Sequence, residues 1–177
     1  MERLFFVGIK HSGKTTFAKR ISRRFGYLFF DSDELISRHL GGKDVREFYR
    51  ENGKEAFMSL ETMAVRELVE KEQHSFILSL GGGASDNESL MQILKNEGKI
   101  IYLTREEDEM LPVILKHGIP AFLDKNDLEG SFHRIYTKRD MAYREYADSI
   151  IDLGKYRDRD ETEAMLYSVL KELGYGV

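Results

Sequence analysis

Short apolar runs alternate with helical patterns along this chain of 177 residues. The runs are apolar without a period of two, which is typical of parallel strands whose two faces are both covered. Between them, apolar residues recur every three or four positions, as in amphipathic helices. This alternation predicts a three-layer α/β fold around a parallel five-stranded sheet. The predicted strands are residues 4–7, 27–30, 76–80, 100–103 and 149–153.

Breaks in the pattern divide the segments between these strands. Ser32 follows the second predicted strand and is expected to cap the helix that starts there. The pair Asn52-Gly53 interrupts the helical pattern over residues 44–68, which predicts two helical pieces. Residues 112–120 contain both prolines of the chain and Gly118, and they are predicted to be a mixed segment.

The composition narrows the class of protein without identifying it. The length fits a single domain over residues 1–177, and a hydrophobic fraction of 41% is enough for a core. The formal net charge of −4 creates no field that would attract nucleic acid or an anionic membrane. Cysteine, a signal-peptide pattern and any long apolar stretch are absent from the sequence. We therefore expect a cytoplasmic monomer without membrane or nucleic-acid partners.

The residues after the first predicted strand form the pattern of a phosphate-binding loop, Gly8-x-x-x-x-Gly13-Lys14-Thr15. Glycines let backbone amides turn inward around a phosphate, and the following helix adds its positive N-terminal end. Lys14 reaches terminal phosphate oxygens, and the Thr15 hydroxyl is a ligand for Mg²⁺. Because the pattern lies between a strand and a helix, a nucleoside triphosphate is predicted to bind here.

Two carboxylates stand at the end of the second predicted strand, in Asp31-Ser32-Asp33. Asp31 ends an apolar run beside the phosphate loop and is expected to hold Mg²⁺, directly or through water. Asp33 is placed to accept a proton from a substrate hydroxyl, as a general base. An acid in the first turn of a helix also favours the helix dipole, so Asp33 has a structural explanation as well.

A glycine triplet, Gly81-Gly82-Gly83, ends the third predicted strand. Three glycines together lose much conformational entropy on folding, and close approach of a ligand to the backbone would explain them. Arg139 and Tyr143 are spaced to share a helix face, which by itself indicates a solvated cation over an aromatic ring. The phosphate loop, the carboxylates and the triplet all follow strands, so they meet where parallel sheets bind ligands.

In their order and spacing, these motifs resemble the shikimate kinase family over essentially the whole chain. The matching segments are GIKHSGKTT, DSDELI, DVREFYRENGKEAFMSLE, SLGGG and RDMAYREYAD. The resemblance implies a P-loop kinase fold with a small helical subdomain and a lid. It also implies transfer of the ATP γ-phosphate, with Mg²⁺, to the 3-hydroxyl of shikimate, in the pathway to chorismate and aromatic amino acids.

The resemblance further implies roles for individual residues. Lys14 and Asp33 would be catalytic, while Thr15 and Asp31 would hold the metal. Residues 33–61 would form the substrate-binding subdomain, and residues 112–124 the lid over ATP. The predicted nucleotide-binding residues are His11, Ser12, Gly13, Lys14, Thr15 and Thr16. The predicted substrate-binding residues are Asp33, Gly81, Gly82, Gly83 and Arg139, which would pair with the substrate carboxylate, with Lys54 as a further candidate.

The segment that would grip the substrate departs from the family pattern. Met58 stands where the family has an arginine that binds the substrate carboxylate. Lys54 stands where the family has an acidic residue near that arginine. Because these positions are four apart on a helix, Lys54 can place a point charge near the same pocket, without the fork geometry of arginine.

The predicted lid departs in a similar way. Ile119 stands where the family has an arginine that stabilises the transferring phosphoryl group. Arg105, Lys116 and His117 are candidates to replace it, although charged side chains of this kind are mostly solvated.

Three functions fit these observations. The first is a kinase of the shikimate kinase type that uses ATP and Mg²⁺. The second is a kinase of another small hydroxy acid or polyol, such as gluconate, because Met58 replaces the substrate-binding arginine. The third is a catalytically weakened family member that binds nucleotide, because Ile119 replaces the lid arginine.

Overall fold

The computed structural model describes residues 1–176, which form strands and helices in the predicted alternation. The strands are β1 Arg3–Val7, β2 Leu28–Asp31, β3 Phe76–Ser79, β4 Lys99–Thr104 and β5 Ser149–Asp152. The helices are α1 Lys14–Phe25, α2 Ser32–His39, α3 Val45–Lys71, α4 Glu88–Glu97, α5 Glu107–Lys116, α6 Leu128–Tyr146 and α7 Arg159–Glu172. A 3₁₀ turn over Ala84–Asp86 precedes α4.

The five strands form one parallel sheet in the order β2-β3-β1-β4-β5. The predicted α/β class and the parallel five-stranded sheet are therefore confirmed. β1 lies in the middle, between β3 and β4. The connection after β1 runs towards the β2 edge of the sheet, and the connection after β3 runs towards the β5 edge. A crevice therefore opens between them at the carboxyl ends of β1 and β3.

Helices cover both faces of the sheet. In β1, Phe5 and Val7 pack into the core shared with α2 to α6, whereas Leu4 and Phe6 pack against α1 and α7. All four side chains are fully buried. Burial on both faces explains why the strands are continuous apolar runs rather than alternating ones.

The segment around Pro112, predicted to be mixed, is helical in its first part. Residues 112–116 belong to α5, which contains Pro112. Met110 and Ile114 of this helix are buried in the core. Their packing outweighs the local preference of proline, which removes one backbone hydrogen bond from a helix interior. Gly118, with φ of 91°, follows shortly after the helix end.

The start of α2 corrects one expectation from the sequence. Asp31, not Ser32, caps this helix, since its Oδ1 accepts a hydrogen bond from the amide of Asp33 at 3.0 Å. Ser32 is fully buried, and its Oγ accepts a hydrogen bond from the amide of Gly81 at 3.0 Å. The serine hydroxyl thus joins the end of β2 to the glycine triplet.

Gly53 breaks α3 into two parts, as the sequence predicts. Its φ of 84° and ψ of 177° are not helical. The residues before it are exposed or half-buried, whereas Ala64, Val65 and Leu68 after it belong to the core. Along residues 1–176, no helix combines the length and apolar character needed to cross a membrane.

Candidate functional site

Two cavities meet at the phosphate loop, beyond the carboxyl ends of β1 and β3. The triplet cavity, of about 350 Å³, is enclosed by the loop, the glycine triplet and residues of α2, α3 and α6. The α5 cavity, of about 380 Å³, lies between the loop, α5 and the segment after β5. His11, Lys14 and Thr15 line both cavities. A group bound at the loop therefore lies at the junction between them.

Backbone geometry makes residues 8–13 a concave loop. Gly8 has a φ of 154°, and a Cβ there would lie 2.4 Å from the carbonyl oxygen of Leu103, so a larger residue does not fit. Gly13, with φ of 104°, directly precedes α1. His11 has a φ of 64°, which is uncommon for a residue with a side chain. The loop thus has the inward-turning backbone that cradles a phosphate.

The other predicted nucleotide-binding residues lie on the same loop and on the first turn of α1. Ser12 is buried, and its amide donates to the carbonyl of Ile9 at 3.1 Å. Thr16 is exposed and lines the α5 cavity. The fold therefore brings together all six residues of this group, and their contacts with a nucleotide stay a prediction.

Lys14 is a buried cation. Lys14 is 6% exposed, and its Nζ donates to the carbonyl of Ile9 at 3.1 Å. Burial lowers the pKa of Lys14 to about 8, while the charges of Asp33 and Asp31 act in the opposite direction. A buried ammonium without a close carboxylate gains strongly from an incoming anion. The surroundings of Lys14 therefore favour the binding of phosphate.

The two predicted metal ligands lie side by side. Thr15 Oγ1 donates to Asp31 Oδ2 at 3.0 Å and lies 3.0 Å from Ser79 Oγ. Hydroxyl and carboxylate oxygens are the ligands that Mg²⁺ prefers, so Thr15 and Asp31 fit this ion. Nowhere in residues 1–176 do three His, Cys, Asp or Glu side chains form a metal cluster of their own. Phosphate oxygens and water would complete the coordination, as is usual for Mg²⁺ bound to nucleotides.

Ser79 at the end of β3 was missed by the sequence interpretation. Its signal is weak, because it is a single polar residue in an otherwise apolar strand.

Asp33 projects from the first turn of α2 into the triplet cavity. Asp33 is exposed to the open side of this cavity, but the protein around it limits the hydration of its carboxylate, and together with the charge of Asp31 this raises the pKa of Asp33. Lys14, Lys10 and Arg46 act in the opposite direction. A raised pKa makes a carboxylate a stronger proton acceptor. The surroundings of Asp33 therefore favour the predicted role, which stays a prediction.

Each glycine of the triplet has its own physical reason. At Gly82 an added Cβ would lie 2.6 Å from the backbone nitrogen of Lys10, because the phosphate loop packs against this residue. At Gly83 it would lie 3.1 Å from Nη2 of Arg139. At Gly81 the nearest atoms would be 3.8 Å away, and two of them are carboxylate oxygens that line the cavity. Gly82 and Gly83 thus allow close packing, and Gly81 leaves free space for a ligand.

Glu61 is a buried carboxyl group that the sequence interpretation did not single out. It is 3% exposed, and its Oε2 accepts a hydrogen bond from Asn87 Nδ2 at 3.0 Å. Burial raises the pKa of Glu61 to about 7, with the Asn87 bond opposing and the charge of Asp33 adding to the shift. Met58, three residues earlier, lines the same cavity without supplying a cation. The available signal for Glu61 was its place at the end of the GKEAFMSLE segment, which carries part of the resemblance.

Arg139 is not the solvated cation that its spacing to Tyr143 indicates. Its side chain is 13% exposed, and the guanidinium lies 5.4 Å from the ring centre of Phe122. Tyr143 is fully buried, and its hydroxyl donates to the carbonyl of Gly82 at 3.1 Å. The tyrosine anchors α6 to the triplet, and this directs Arg139 towards the triplet cavity.

Asp86, another residue missed from the sequence, is the carboxylate closest to Arg139. Its Oδ2 lies 3.3 Å from Arg139 Nη2 and 3.5 Å from Lys54 Nζ. Lys138 Nζ lies 3.5 Å from Oδ1. The predicted substrate-binding residues Arg139 and Lys54 are thus brought together around a carboxylate of the protein itself. Asp86 stands three residues after the triplet, which was the available signal.

Arg105 is a further correction, because it is buried rather than solvated. It is 4% exposed, its Nε donates to the carbonyl of Ser12 at 3.0 Å, and its Nη1 donates to those of Gly154 and Lys155 at 2.8 and 2.9 Å. Its guanidinium also stacks on Tyr156 at 4.2 Å. These bonds hold the segment after β5 against the phosphate loop. The guanidinium of Arg105 therefore has a structural role, since its donors bind carbonyl groups of the protein.

His117, at the end of α5, is in contact with the phosphate loop. Its ring stacks on that of His11, with the centres 4.4 Å apart and an angle of 16° between the planes. Burial and the nearby charges of His117, Lys10 and Lys14 lower the pKa of His11. Lys116 is exposed and lines neither cavity. Of the three replacement candidates, His117 is therefore the one that stacks on a residue lining both cavities, while its own side chain lines the α5 cavity.

Two cavities that share one phosphate loop suit a phosphotransferase, because donor and acceptor must meet at the transferred group. The fold and the site together define a small-molecule kinase of the P-loop class.

Comparison with known proteins gives the family. A family model described as shikimate kinase matches residues 10–173. A shikimate kinase of Cupriavidus pinatubonensis is 34% identical over 152 residues, which cover 86% of this chain and 78% of that protein. The chain belongs to the shikimate kinase family, and it is an ATP-dependent small-molecule kinase that uses Mg²⁺.

Solved structures agree in fold over nearly the whole chain. Shikimate kinase from Acinetobacter baumannii in complex with shikimate superimposes with a TM-score of 0.80 and 25% identity, covering 97% of this chain and 94% of that one. Shikimate kinase from Bacteroides thetaiotaomicron gives a TM-score of 0.82 and 26% identity, covering 98% of both chains.

Proposed function

We propose that this protein transfers the γ-phosphate of ATP to a hydroxyl of shikimate. The observation that carries the proposal is the junction of the two cavities. Lys14 and Thr15 line both, so a phosphate held at the loop faces Asp33 across the triplet cavity. Further support comes from the Acinetobacter baumannii relative, whose structure is a complex with shikimate.

On the donor side, the amides of residues 11–16 and the ammonium of Lys14 bind the phosphates. Mg²⁺, held by Thr15 and Asp31, supplies charge neutralisation on the phosphate oxygens when bound. The α5 cavity, with Tyr156 and Arg157 in its wall, takes the nucleoside. Residues 112–124 act as the lid, and His117 already lies against the loop at its edge.

On the acceptor side, Asp33 accepts the proton of the attacking hydroxyl. The hydroxyl oxygen then forms the new bond to the γ-phosphorus while the bond from that phosphorus to the bridging oxygen breaks, which releases ADP. Arg139 and Lys54 pair with the carboxylate of shikimate, and residues 81–83 form the cavity floor. Residues 33–61 are the substrate-binding subdomain in this scheme. We propose that the enzyme acts as a monomer, because both cavities are built from one chain, and that it is cytoplasmic, as its family implies.

A second candidate function is phosphorylation of a different small hydroxy acid or polyol. Met58 favours it, because an uncharged side chain lines the triplet cavity at the position of a carboxylate-binding arginine in the family. A bidentate arginine–carboxylate pair is strong and geometrically specific, and a lysine does not reproduce it.

A coupled ADP-release assay with shikimate, gluconate and a panel of small hydroxy acids and sugars separates the candidates. We expect saturable turnover on shikimate. Turnover on another compound alone would support the second candidate. Nucleotide binding by calorimetry without turnover on any compound would indicate a weakened family member and would contradict both.

The substitution at Met58 can be tested directly by the double variant Met58→Arg with Lys54→Glu, which restores the family residues. We expect a lower KM for shikimate, because the arginine regains a fork for the carboxylate and a neighbour in Glu61. Met63→Arg is the matched control, since Met63 is 50% exposed on the same helix outside the triplet cavity. Because Lys54→Glu also removes a cation from the cavity, Met58→Arg alone is measured beside it, and an unchanged KM in both variants would show that Met58 does not limit shikimate binding.

A further inference from the structure

The triplet cavity contains an ionic cluster that the proposed proton transfer and phosphate binding do not use. Asp86 lies at its centre, with Arg139 Nη2 at 3.3 Å and Lys54 Nζ at 3.5 Å from the same oxygen, Oδ2. Lys138 Nζ lies 3.5 Å from the other oxygen. The side chains of Asp86 and Arg139 are 15% and 13% exposed, so water screens their interaction only weakly.

Asp86 is ionised in this setting. Burial by itself would raise the pKa of Asp86, but the charges of Arg139, Lys54 and Lys138 outweigh burial and hold the pKa below its usual range. The carboxylate therefore carries a full negative charge at neutral pH.

This charge occupies the place where an acidic ligand would bind. Three cations around one carboxylate leave a positive surplus, which attracts an anion to the cavity. Yet an incoming carboxylate that pairs with Arg139 must share the guanidinium with Asp86, whose Oδ2 contacts Nη2, and then lie beside a like charge. Like charges at such distances oppose each other, most strongly where water is excluded.

The contacts of Asp86 are also loose enough to be exchanged. Strong charge-assisted hydrogen bonds have lengths of about 2.7–2.9 Å. The pairs of Asp86 with Arg139 and Lys54 are longer, at 3.3 and 3.5 Å. A ligand carboxylate with better geometry can therefore displace Asp86 from these cations. The repulsion between the ligand carboxylate and the nearby Asp86 carboxylate remains.

We propose that Asp86 is a specificity-determining residue: it acts as an internal carboxylate at the anion site of Arg139 and Lys54 and weakens the binding of acidic acceptors relative to neutral ones. The inference deepens the proposed function and rests on it for the position of the acceptor. Its consequence is that selectivity between an acid and a polyol depends on one carboxylate next to the glycine triplet.

Calorimetric titration of shikimate and of its uncharged methyl ester into the full-length protein separates charge from shape. In Asp86→Asn, which keeps the size of the side chain, we expect the Kd of shikimate to fall at least about fivefold. The Kd of the ester should change by less than about twofold, because it carries no charge to be repelled. Adding Lys54→Gln to Asp86→Asn should remove much of the gain in affinity for shikimate.

Asp160→Asn is the matched control. It removes the same formal charge, but Asp160 pairs with Arg20 on the surface and its side chain is 84% exposed. We expect it to leave the ratio of the two dissociation constants unchanged. Thermal unfolding shows whether each variant is folded, and Asp86→Ala serves if the asparagine variant is not.

An unchanged or weaker affinity for shikimate in a folded Asp86 variant would overturn the proposal. An equal gain for the ester would also overturn it, because the effect would then come from shape rather than charge. So would the absence of shikimate binding in every variant. Failure of the proposed function is visible separately, as the absence of ADP release by the unmodified protein with shikimate, since the affinity ratio requires no turnover.

Discussion

The two cavities share Lys14 and Thr15, yet they are built by different parts of the protein. The phosphate loop is largely a backbone structure, and its shape depends on glycines such as Gly8, where a Cβ would meet a carbonyl at 2.4 Å. The triplet cavity depends on side chains that come from four helices, α1, α2, α3 and α6, from the end of β2 and from loops. The loop carries the full family pattern, whereas Met58 and Lys54 depart from it on the other side.

This difference has a physical cause. A backbone site tolerates few substitutions, because a side chain at a glycine with positive φ is strained or collides. A site built from side chains can change its charges while the fold stays the same. Donor recognition and acceptor recognition can therefore vary independently in one domain, and variants that affect only one side provide a test of this independence.

The largest expected effect comes from Asp33→Asn. We expect kcat to fall about 10²- to 10⁴-fold, because the attacking hydroxyl loses its proton acceptor. The affinity for ATP should stay close to that of the unmodified protein, as measured by calorimetry. Glu34→Gln, at the next, exposed position of α2, is the control and should leave kcat unchanged. A parallel loss of ATP affinity in Asp33→Asn would show that the two sides are not independent.

The next effect concerns stability and pH, through Glu61 on the acceptor side. Its pKa of about 7 in the folded protein lies above the ordinary value of 4.5. As the pH rises from 4.5, the unfolded chain loses this proton first, so stability falls until the folded group also ionises near pH 7.

Glu61→Gln removes this dependence. Between about pH 5 and pH 8, we expect the free energy of unfolding to fall by about 2–3 kcal/mol more in the unmodified protein than in the variant. Urea unfolding at both pH values measures the difference. Parallel changes in the two proteins would show that Glu61 is not held neutral by its surroundings.

A smaller effect is expected where the two sides touch, at Gly82. In Gly82→Ala the new methyl group would meet the backbone of Lys10 at 2.6 Å, so we expect a loss of about 1–3 kcal/mol in stability. Weaker binding of both ATP and acceptor should follow, because the phosphate loop must shift.

Gly81→Ala is the matched variant. Its methyl group would find no contact closer than 3.8 Å and would point into the cavity. We expect normal stability and a higher KM for the acceptor alone. Similar unfolding midpoints in the two variants would contradict the different reasons assigned to these glycines.

The smallest expected effect is the uptake of protons by Lys14 when ATP binds on the donor side. The pKa of Lys14 is lowered to about 8, so the side chain is partly neutral near that pH. Bound phosphates favour the charged form, and we expect uptake of about half a proton with ATP near pH 8. Calorimetry in Tris and in HEPES, which differ in ionisation heat, measures this uptake. It should be much smaller near pH 6.5, and equal heats in both buffers near pH 8 would contradict the environment described for Lys14.

The features that could be predicted from the sequence are those carried by neighbouring residues. The phosphate loop, the order of the strands along the chain and the break at Gly53 all depend on local patterns. Thr15 and Asp31 are 16 positions apart, and their contact at 3.0 Å could still be expected, because parallel strands bring their carboxyl ends together. The helical state of Pro112 could not be expected, since buried contacts of α5 decide it.

Charge environments form the second group of failures, because burial and ion pairing depend on residues distant in the chain. Arg105 resembles a solvated cation in the sequence, but it is surrounded by carbonyl groups of two separate loops. The spacing of Arg139 and Tyr143 does not by itself show that they face the glycine triplet, more than fifty residues earlier, although the family resemblance did group Arg139 with it.

The sequence by itself determined the class of fold, the phosphate loop and the carboxylate at the end of β2, because each depends on short patterns with one physical solution. Only the tertiary structure decided that Glu61 is a buried acid with a raised pKa and that Asp86 lies among three cations. Those properties depend on the distances between side chains of different helices, which packing sets and no local pattern contains.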